Sequence, residues 1–541
     1  MARTIQKTYE YTEFLYVQSD EQRNGEIRRH PVVVVGGGPI GLTAGLDLAA
    51  QGIPAIVLDD NNTVSIGSRA VCYAKRPLEI WDRLGCAEPM VEKGISWNIG
   101  KVFTQDKLAY QFNLLPEAHH KMPSMINLQQ YYLEQYLVDQ VGKSENIDLR
   151  WKHKVVGLED KGDYVSLTVE TPDGEFTMEA DWVIACDGAN SSVREMVGAE
   201  FTGKFFMDQF LIADVVMTAD FPTERWFWFD APFHRDQSTL LHKQSDNVWR
   251  IDFQLGWDAD PEEEQKPENV IPRIRAMLGE DTEFELEWVS VYQFACRRID
   301  KFRYNRVLFA GDSAHQVSPF GARGANTGVQ DVDNLAWKIK LILDEKAPVD
   351  FIDSYHEERA FAADDNLLNS TRSTDFMTPK SEGSKNFRDA VLELAEDYAF
   401  ARPLVNSGRL SMPTPYLDSS YVTADQDDFG ASMLPGTNCA DAPVEVDGKP
   451  SWFLNNIGGE FNLLVFGDNS AAEAVECHGV IAEPIVVGRD LIDAEGVLAE
   501  RYEGGEGAVY LIRPDQHVAA RWRNFDKSKI EYALARATGQ A

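Results

Sequence analysis

Cysteine is scarce in this chain and poorly spaced for structural chemistry. The six cysteines, Cys72, Cys86, Cys186, Cys296, Cys439 and Cys477, include no C-x-x-C pair. That spacing excludes a disulfide framework, a zinc ribbon and dithiol redox chemistry, so no metal is expected. Reduced, mostly buried thiols in a cytoplasmic setting are the expectation. Positive charge is short as well: 52 Lys and Arg face 87 Asp and Glu, for a formal net charge of −35. A nucleic-acid partner needs a basic face, and an anionic lipid surface would be repelled in the same way, so neither is expected. Residues 1–30 hold no apolar leader and are expected to form a surface-draped or poorly ordered arm. One segment, 31–50, has the length of a membrane span, but it carries Asp47 and five glycines and changes character midway. No internal repeat and no second G-x-G-x-x-G unit is present. What is there is ordinary globular material, 541 residues with 44% hydrophobic and 26% charged, enough for about three domains.

The span-like segment opens on Val32-Val33-Val34-Val35, the signature of a strand buried on both faces. It continues Gly36-Gly37-Gly38-Pro39-Ile40-Gly41 into a small-residue helix over 40–51. A G-x-G-x-x-G run between a strand and a helix has physical content. Gly36 permits the tight turn, Gly38 lets the backbone approach a pyrophosphate, and Gly41 lets helix and strand pack closely. The helix start, with Pro39, offers free N–H groups and a positive dipole end to that anion. A second strand, Ala55-Ile56-Val57-Leu58, ends at Asp59, where an acid can accept from ribose hydroxyls. Asp60 is the alternative, a solvated turn residue. An acid at this place disfavours a 2′-phosphate and leaves NAD and FAD.

Two further strand-turn motifs follow. Asp181-Trp182-Val183-Ile184-Ala185 runs into Cys186-Asp187-Gly188-Ala189-Asn190-Ser191-Ser192-Val193-Arg194. Arg306-Val307-Leu308-Phe309-Ala310 runs into Gly311-Asp312-Ser313-Ala314-His315, then Pro319-Phe320-Gly321-Ala322-Arg323-Gly324-Ala325-Asn326-Thr327-Gly328 and a helix. Taken in order, the three motifs resemble those of the single-component flavoprotein aromatic hydroxylases, the FAD monooxygenases of the p-hydroxybenzoate hydroxylase fold. The resemblance spans about 31–400 and is nearest the phenol and 3-(3-hydroxyphenyl)propionate hydroxylase branch. It implies an α/β fold: a Rossmann-like FAD-binding domain, discontinuous over 31–105, 125–200 and 300–400, with an inserted antiparallel substrate sheet over 106–124 and 201–299. A linker over 401–450 and a thioredoxin-like C-terminal domain over 451–541, without C-x-x-C, complete the chain.

The resemblance also implies roles. Asp312, after Gly311, binds the ribityl hydroxyls of FAD. The glycine-rich turn 321–328 (Gly321, Gly324, Ala325, Asn326) opens a helix toward the anionic edge of the reduced flavin, with Pro319 bordering the ring. Asp187 and Gly188 form the second FAD motif, also associated with NAD(P)H, and Arg194 belongs to it or is an ordinary ion-pairing arginine. Arg69, at the opening of a helix over 71–84, meets the pyrophosphate, with Arg76 as competitor. Gln130 contacts FAD, with Gln129 as the alternative. His315 is a structural partner beside the flavin rather than a catalytic base.

Between the second and third motifs, strand-like alternation rich in aromatics gives the substrate sheet. Its candidate pocket residues are Trp226, Trp228, His242, Arg250 and Tyr292, with sheet packing as the competing role of each. Arg250 or His242 is placed to meet a substrate carboxylate or phenolate. Arg297 has no role that the sequence supplies. Cys477-His478 is an incidental pair, and the tail is expected to be structural or to make homodimer contacts. The expected activity is hydroxylation of a small phenolic or aromatic substrate with NADH or NADPH and O2, through a flavin C4a-hydroperoxide. Epoxidation or Baeyer–Villiger oxidation on the same fold is the alternative. A halogenase is disfavoured because Asp230-Ala231-Pro232 follows Trp226-Phe227-Trp228-Phe229, and a flavin-binding sensor without turnover is the reading from another class.

Overall fold

The computed structural model describes residues 7–405, 410, 412–467, 472–505 and 507–541. The first residues of the expected arm, 1–6, and residues 406–409 and 411 of the expected linker lie outside it. The rest of the arm is draped and pinned. Its Thr8 backbone N–H reaches Glu287, its Phe14 ring stacks on Trp151 with centroids 4.5 Å apart, and its buried Glu21 pairs with Arg150.

The chain then enters β1 (Arg29–Val35), α1 (Pro39–Ala50) and β2 (Ala55–Asp59). Val32 to Val35 are buried on both faces, as a central parallel strand demands. After β2 the expected helix over 71–84 is replaced by a short strand, β3 (Cys72–Ala74), and a later helix, α2 (Lys75–Arg83). The backbone around 72–74 is captured by sheet pairing with Met125–Asn127, which overrides its local preference. A hairpin follows, β4 (Ile99–Thr104) and β5 (Lys107–Asn113), then α3 (Gln130–Val141), β6 (Ile147–Trp151) and β7 (Gly174–Ala185).

The aromatic-rich stretch forms β8 (Phe201–Val216), β9 (Arg225–Ala231), β10 (His234–Lys243) and β11 (Val248–Leu255). Helix α4 (Pro267–Leu278) and strand β12 (Glu285–Ile299) complete this part. The chain returns through β13 (Val307–Phe309) to α5 (Gly324–Leu343), α6 (Asp353–Met377) and α7 (Glu382–Asp397).

Two sheets carry the architecture. β13, β7, β1, β2 and β6 lie side by side in that order, all parallel. The second sheet runs β12-β8-β11-β10-β9-β4-β5. It is antiparallel except where β9 meets β4, which runs parallel to it. Strand β4 therefore belongs to the substrate sheet, and the insertion begins before residue 106. In the tail, Val475–Cys477, β14 (Phe461–Phe466), β15 (Val480–Val487), β16 (Val509–Ile512) and β17 (Val518–Trp522) form a mixed sheet flanked by α8 (Lys527–Ala537).

The tail is fused to the first domain. Phe461, Leu463 and Leu511 share one continuous core with Trp337 and Ile352. The described part of the expected linker is held in place as well, for Tyr416 accepts from Arg359 and stacks on His517. A fully buried charge network crosses this junction. Arg513 grips both Glu358 oxygens, at 2.6 and 3.0 Å, and both Asp515 oxygens, at 3.0 and 2.6 Å, while Lys338 reaches Glu358 at 2.8 Å. Burial alone would raise the Glu358 carboxyl, but Arg513 and Lys338 overcome that and hold it far below its usual range. Among the described residues no helix is long and apolar enough to cross a membrane.

Replacing Arg513 with Met should cost about 3–5 kcal/mol, because it strands two buried carboxylates. Chemical denaturation at neutral pH measures this. The depressed Glu358 carboxyl contributes stability above its ordinary value of 4.5 and loses that contribution on acidification. The stability gap between wild type and Arg513→Met should therefore narrow as pH falls below that value.

Candidate active site

The first glycine turn is sterically closed on one side and open on the other. A Cβ on Gly36, whose φ is 107°, would lie 2.5 Å from the Cys186 carbonyl oxygen, and one on Gly41 would lie 1.8 Å from the Gly36 oxygen. Gly38 has nothing within 4 Å of its Cβ position. It caps α1 in an extended conformation with no side-chain bond, so the helix start is unspent toward that open side. Asp59 folds back over the turn, its Oδ2 accepting from the Gly37 N–H at 2.6 Å and its Oδ1 from Asn61 at 2.8 Å. Burial pushes its carboxyl upward against those bonds. Asp60 only meets the Asn61 amide.

The other two motifs reach the same cleft. Gly188, with φ 76°, also borders open space. Asp187 accepts from the Val193 N–H through Oδ2 at 3.1 Å, while its buried Oδ1 has no partner. Arg194 ties this motif to the third through the Ser313 and Ala189 carbonyls. Arg297 reaches Gln316 nearby. The Gly311–Asp312 turn is fastened from below by Asp331, which accepts from the Gly311 N–H at 2.9 Å, His315 at 2.7 Å and Arg359 at 2.7 Å. Burial would raise Asp331, but His315 and Arg359 outweigh it and hold the carboxyl below its usual range. His315 is thus spent on Asp331. Asp312 is left open to solvent, yet it sits so deep in the protein mass that desolvation raises its carboxyl. A reachable carboxylate deep in a cleft suits a polyhydroxyl chain. Helix α5 begins without a side-chain cap, so its first N–H groups face that cleft as a dipole end.

Not every expected contact has a free group. The Asn326 side chain is used by backbone: its Oδ1 accepts from Ala74 at 2.8 Å and its Nδ2 donates to Cys72 at 2.9 Å, pinning β3 beneath the start of α5. Gln130 likewise holds the 65–70 strap, accepting from the Ala70 N–H at 3.0 Å and donating to Glu134 at 2.7 Å. Gln129 donates to Ser245 and keeps a buried unpartnered Oε1. Arg69 is exposed on that strap, not at a helix start. Arg76 is buried at the tail junction against Asp333, at 3.0 Å, and Gln516.

The substrate sheet presents two different faces. Trp226 and Trp228 point outward and pack with Val270 and Ile274 of α4. Their neighbours Arg225, Phe227 and Phe229 point inward. Together with Tyr110, Phe112 and Phe320 they line a cavity of about 590 Å³ of empty space, open to solvent, that abuts Gly321. The expected pocket tryptophans are therefore one residue out of register with the cavity. In a run of four aromatics the alternation carries no polarity, and only the flanking Arg225 hinted at the inward face. Arg250 is inward but committed: it donates to both Asp214 oxygens, at 2.8 and 3.0 Å, and to the Arg69 and Ser68 carbonyls. His242 is buried beside it, and desolvation first, then Arg225 and Arg250, hold its imidazole neutral. Tyr292 stacks on Phe294, its hydroxyl pushed up to about 12 by burial and then by the charge of Asp312. Among the described residues no His, Cys, Asp and Glu cluster could hold a metal ion.

These features fit FAD. Two glycine turns offer open backbone to a pyrophosphate, a reachable deep carboxylate stands for the sugar-alcohol chain, and an uncapped helix faces the ring end. The comparisons agree. Residues 29–370 match the FAD binding domain family model. Rifampicin monooxygenase of Streptomyces venezuelae is 30% identical over 68% of this chain and 75% of its own length. The probable NADH-specific resorcinol 4-hydroxylase of Rhodococcus jostii is 27% identical over 90% of this chain and 91% of its own. The flavin-dependent monooxygenase PieE, solved with FAD and substrate, superposes with a TM-score of 0.80 at 23% identity, over 95% of this chain and 99% of its own. With its phosphate turn, its deep Asp312 and the uncapped start of α5 all inside the matched residues, the chain belongs to the FAD-binding family of flavoprotein aromatic monooxygenases.

Proposed function

We propose that the cavity bounded by Phe227, Phe229, Tyr110 and Phe112 binds a phenol-type ring and delivers one ring carbon to the flavin site for hydroxylation, with NADH or NADPH and O2 as co-substrates. The observation that carries this is the position of an aromatic-walled cavity directly against Phe320 and Gly321, at the head of α5. Bound FAD would supply hydride acceptance from a nicotinamide and activation of O2.

The chain's own residues do the rest. The 36–41 turn and the start of α1 hold the pyrophosphate, Asp59 the ribose and Asp312 the ribityl hydroxyls. The start of α5, with Gly324 and Ala325, offers N–H groups to the anionic edge of the reduced ring. Pro319 and Phe320 wall the ring position. Phe227 and Phe229 press the substrate ring flat and keep water from the reacting atoms, which suppresses peroxide release. Asn326 and Gln130 act one step back, by fixing the 72–74 and 65–70 backbone that borders this space. The resorcinol 4-hydroxylase relative supports a phenolic ring and a nicotinamide donor.

A panel of phenols and aromatic acids, with oxidation of NADH and NADPH, hydroxylated product and peroxide all quantified, tests the reading. Aromatic-stimulated oxidation with matching product is expected; a flavin-loaded protein that consumes no nicotinamide with any ring would overturn it. Asp312→Ala removes charge-assisted hydrogen bonds of roughly 1.5–3 kcal/mol each. Equilibrium dialysis should show FAD retention at least about a hundredfold weaker, and unchanged retention counts against the ribityl role. Phe227→Ala should raise KM about tenfold, the loss of ~1.4 kcal/mol of apolar contact, and increase the peroxide fraction. Trp226→Ala, on the opposite face, should leave KM for the ring unchanged. Equal effects of the two variants would refute the inward face as the binding face.

A further inference from the structure

The cavity wall carries two charged residues, Lys101 and Arg225. Lys101 is paired, its Nζ lying 2.7 Å from Glu224. Arg225 is not: among the described residues no carboxylate comes within ion-pair distance of its guanidinium. Its contacts are the Cys72 thiol, to which Nη1 donates at 3.5 Å, and the face of Trp97, 5.9 Å from the ring centroid. A half-buried guanidinium without an anion is unusual, since desolvating a charge is costly unless it is paired. Six buried arginines, Arg76, Arg83, Arg150, Arg250, Arg359 and Arg513, each meet a carboxylate, while Arg194 and Arg297, which do not, spend their guanidinium groups on carbonyl and amide oxygens. With 35 surplus negative charges, acids were not in short supply.

None of the groups around Arg225 forms an ion pair with it. From β3 comes Cys72, whose thiol is kept protonated by burial. From β10 comes His242, held neutral by burial and by the two arginines. From β8 and β11 come Asp214 and Arg250, which are committed to each other. Asp252 of β11 is the nearby acid that feels Arg225 electrostatically without a hydrogen bond or ion pair to it, and its buried Oδ1 has no partner. Burial pushes its carboxyl up to about 6, against the pull of Arg250 and Arg225. Arg225 lines the cavity together with Phe227.

We propose that Arg225 is the anion-recognition residue of this cavity: the aromatic substrate binds with an anionic oxygen, phenolate or carboxylate, on the Arg225 guanidinium and its ring between Phe227 and the Phe320–Gly321 turn. This rests on the cavity being the substrate site. It also resolves how so acidic a protein attracts an anionic ring. The attraction is local, supplied by one cation in a low-dielectric wall where a charge-assisted hydrogen bond is strong.

The test uses the FAD-loaded protein and three probes: 4-nitrophenol, whose ionised form is read by its visible absorbance; benzoate; and 4-nitroanisole, the neutral ether of the first. Wild type should bind at least one of the two anions about tenfold more tightly than the ether. Which anion it prefers tells phenolate from carboxylate. Arg225→Gln should lose that preference at unchanged FAD content, and Arg225→Lys should keep most of it, which separates a charge effect from misfolding. The proposal is overturned if wild type binds the ether as tightly as both anions, if it binds neither anion at millimolar concentration, or if Arg225→Gln keeps the preference. Its failure and that of the hydroxylase reading are distinguishable. Arg225-dependent anion binding without ring-stimulated nicotinamide oxidation sinks only the hydroxylase. Phenol hydroxylation with the same KM in Arg225→Gln sinks only the anion site.

Discussion

Asp331 is the point on which the cleft depends. Its two oxygens take the Gly311 N–H, His315 and Arg359 at once. One carboxylate in the middle of α5 therefore fixes the turn that presents Asp312, and α6 is locked to α5 through the same atoms. The start of α5 inherits its position from this arrangement, and Asn326 transmits it to strand β3. Glycine makes the packing close enough: a Cβ on Gly328 would lie 2.7 Å from Ile40, which belongs to the first glycine turn. The first glycine turn and the head of α5 are thus two faces of one α1–α5 contact.

A second buried network, around Arg513, Glu358 and Asp515, lies behind the first and shares α6 with it. Glu358 and Arg359 are adjacent on that helix, one facing the tail and the other facing Asp331. Burying this much charge is a poor way to gain net stability but a strong way to impose a single arrangement, because every partner must arrive together. The tail's role in the fold is to complete that arrangement. This explains why a domain without C-x-x-C is packed into the core of the first domain rather than tethered beside it.

Much of this was legible in the sequence because it rests on backbone rules. A valine run, a glycine turn, a helix start and an acid at the end of the next strand are local requirements, and the structure meets them at β1, α1 and Asp59. The deep acid of the Gly311–Asp312 turn and the glycine-rich helix start were legible for the same reason. What was not legible depends on long-range partners. The 72–74 segment reads as helix until Met125–Asn127 claims it as a strand. The partners of Gln130 and Asn326 were not legible: the Gln130 amide meets the Ala70 N–H, Ser65 and Glu134, and the Asn326 amide meets the Cys72 and Ala74 backbone. The cavity is lined by Phe227 and Phe229 rather than by the expected Trp226 and Trp228, since Trp226-Phe227-Trp228-Phe229 is apolar at every position and the sheet decides which half faces in. Arg250 looked available for a substrate anion and is consumed by Asp214, whereas Arg225, which lies in no motif, has no ion-pair partner.

The parallel pairing of β9 with β4 carries a consequence for how the molecule is made. Phe227 and Phe229 come from one segment, and Tyr110 and Phe112 from a hairpin made more than a hundred residues earlier. That hairpin must leave the ribosome as an edge without its sheet. It has to wait, exposed, until β8 to β11 arrive, while the FAD-binding strands β6 and β7 are synthesised in between. Contacts so distant in sequence form late and slowly. The aromatic cavity is therefore among the last parts of the molecule to close, and neither the sheet nor the cofactor domain can be cut out as one continuous stretch of chain.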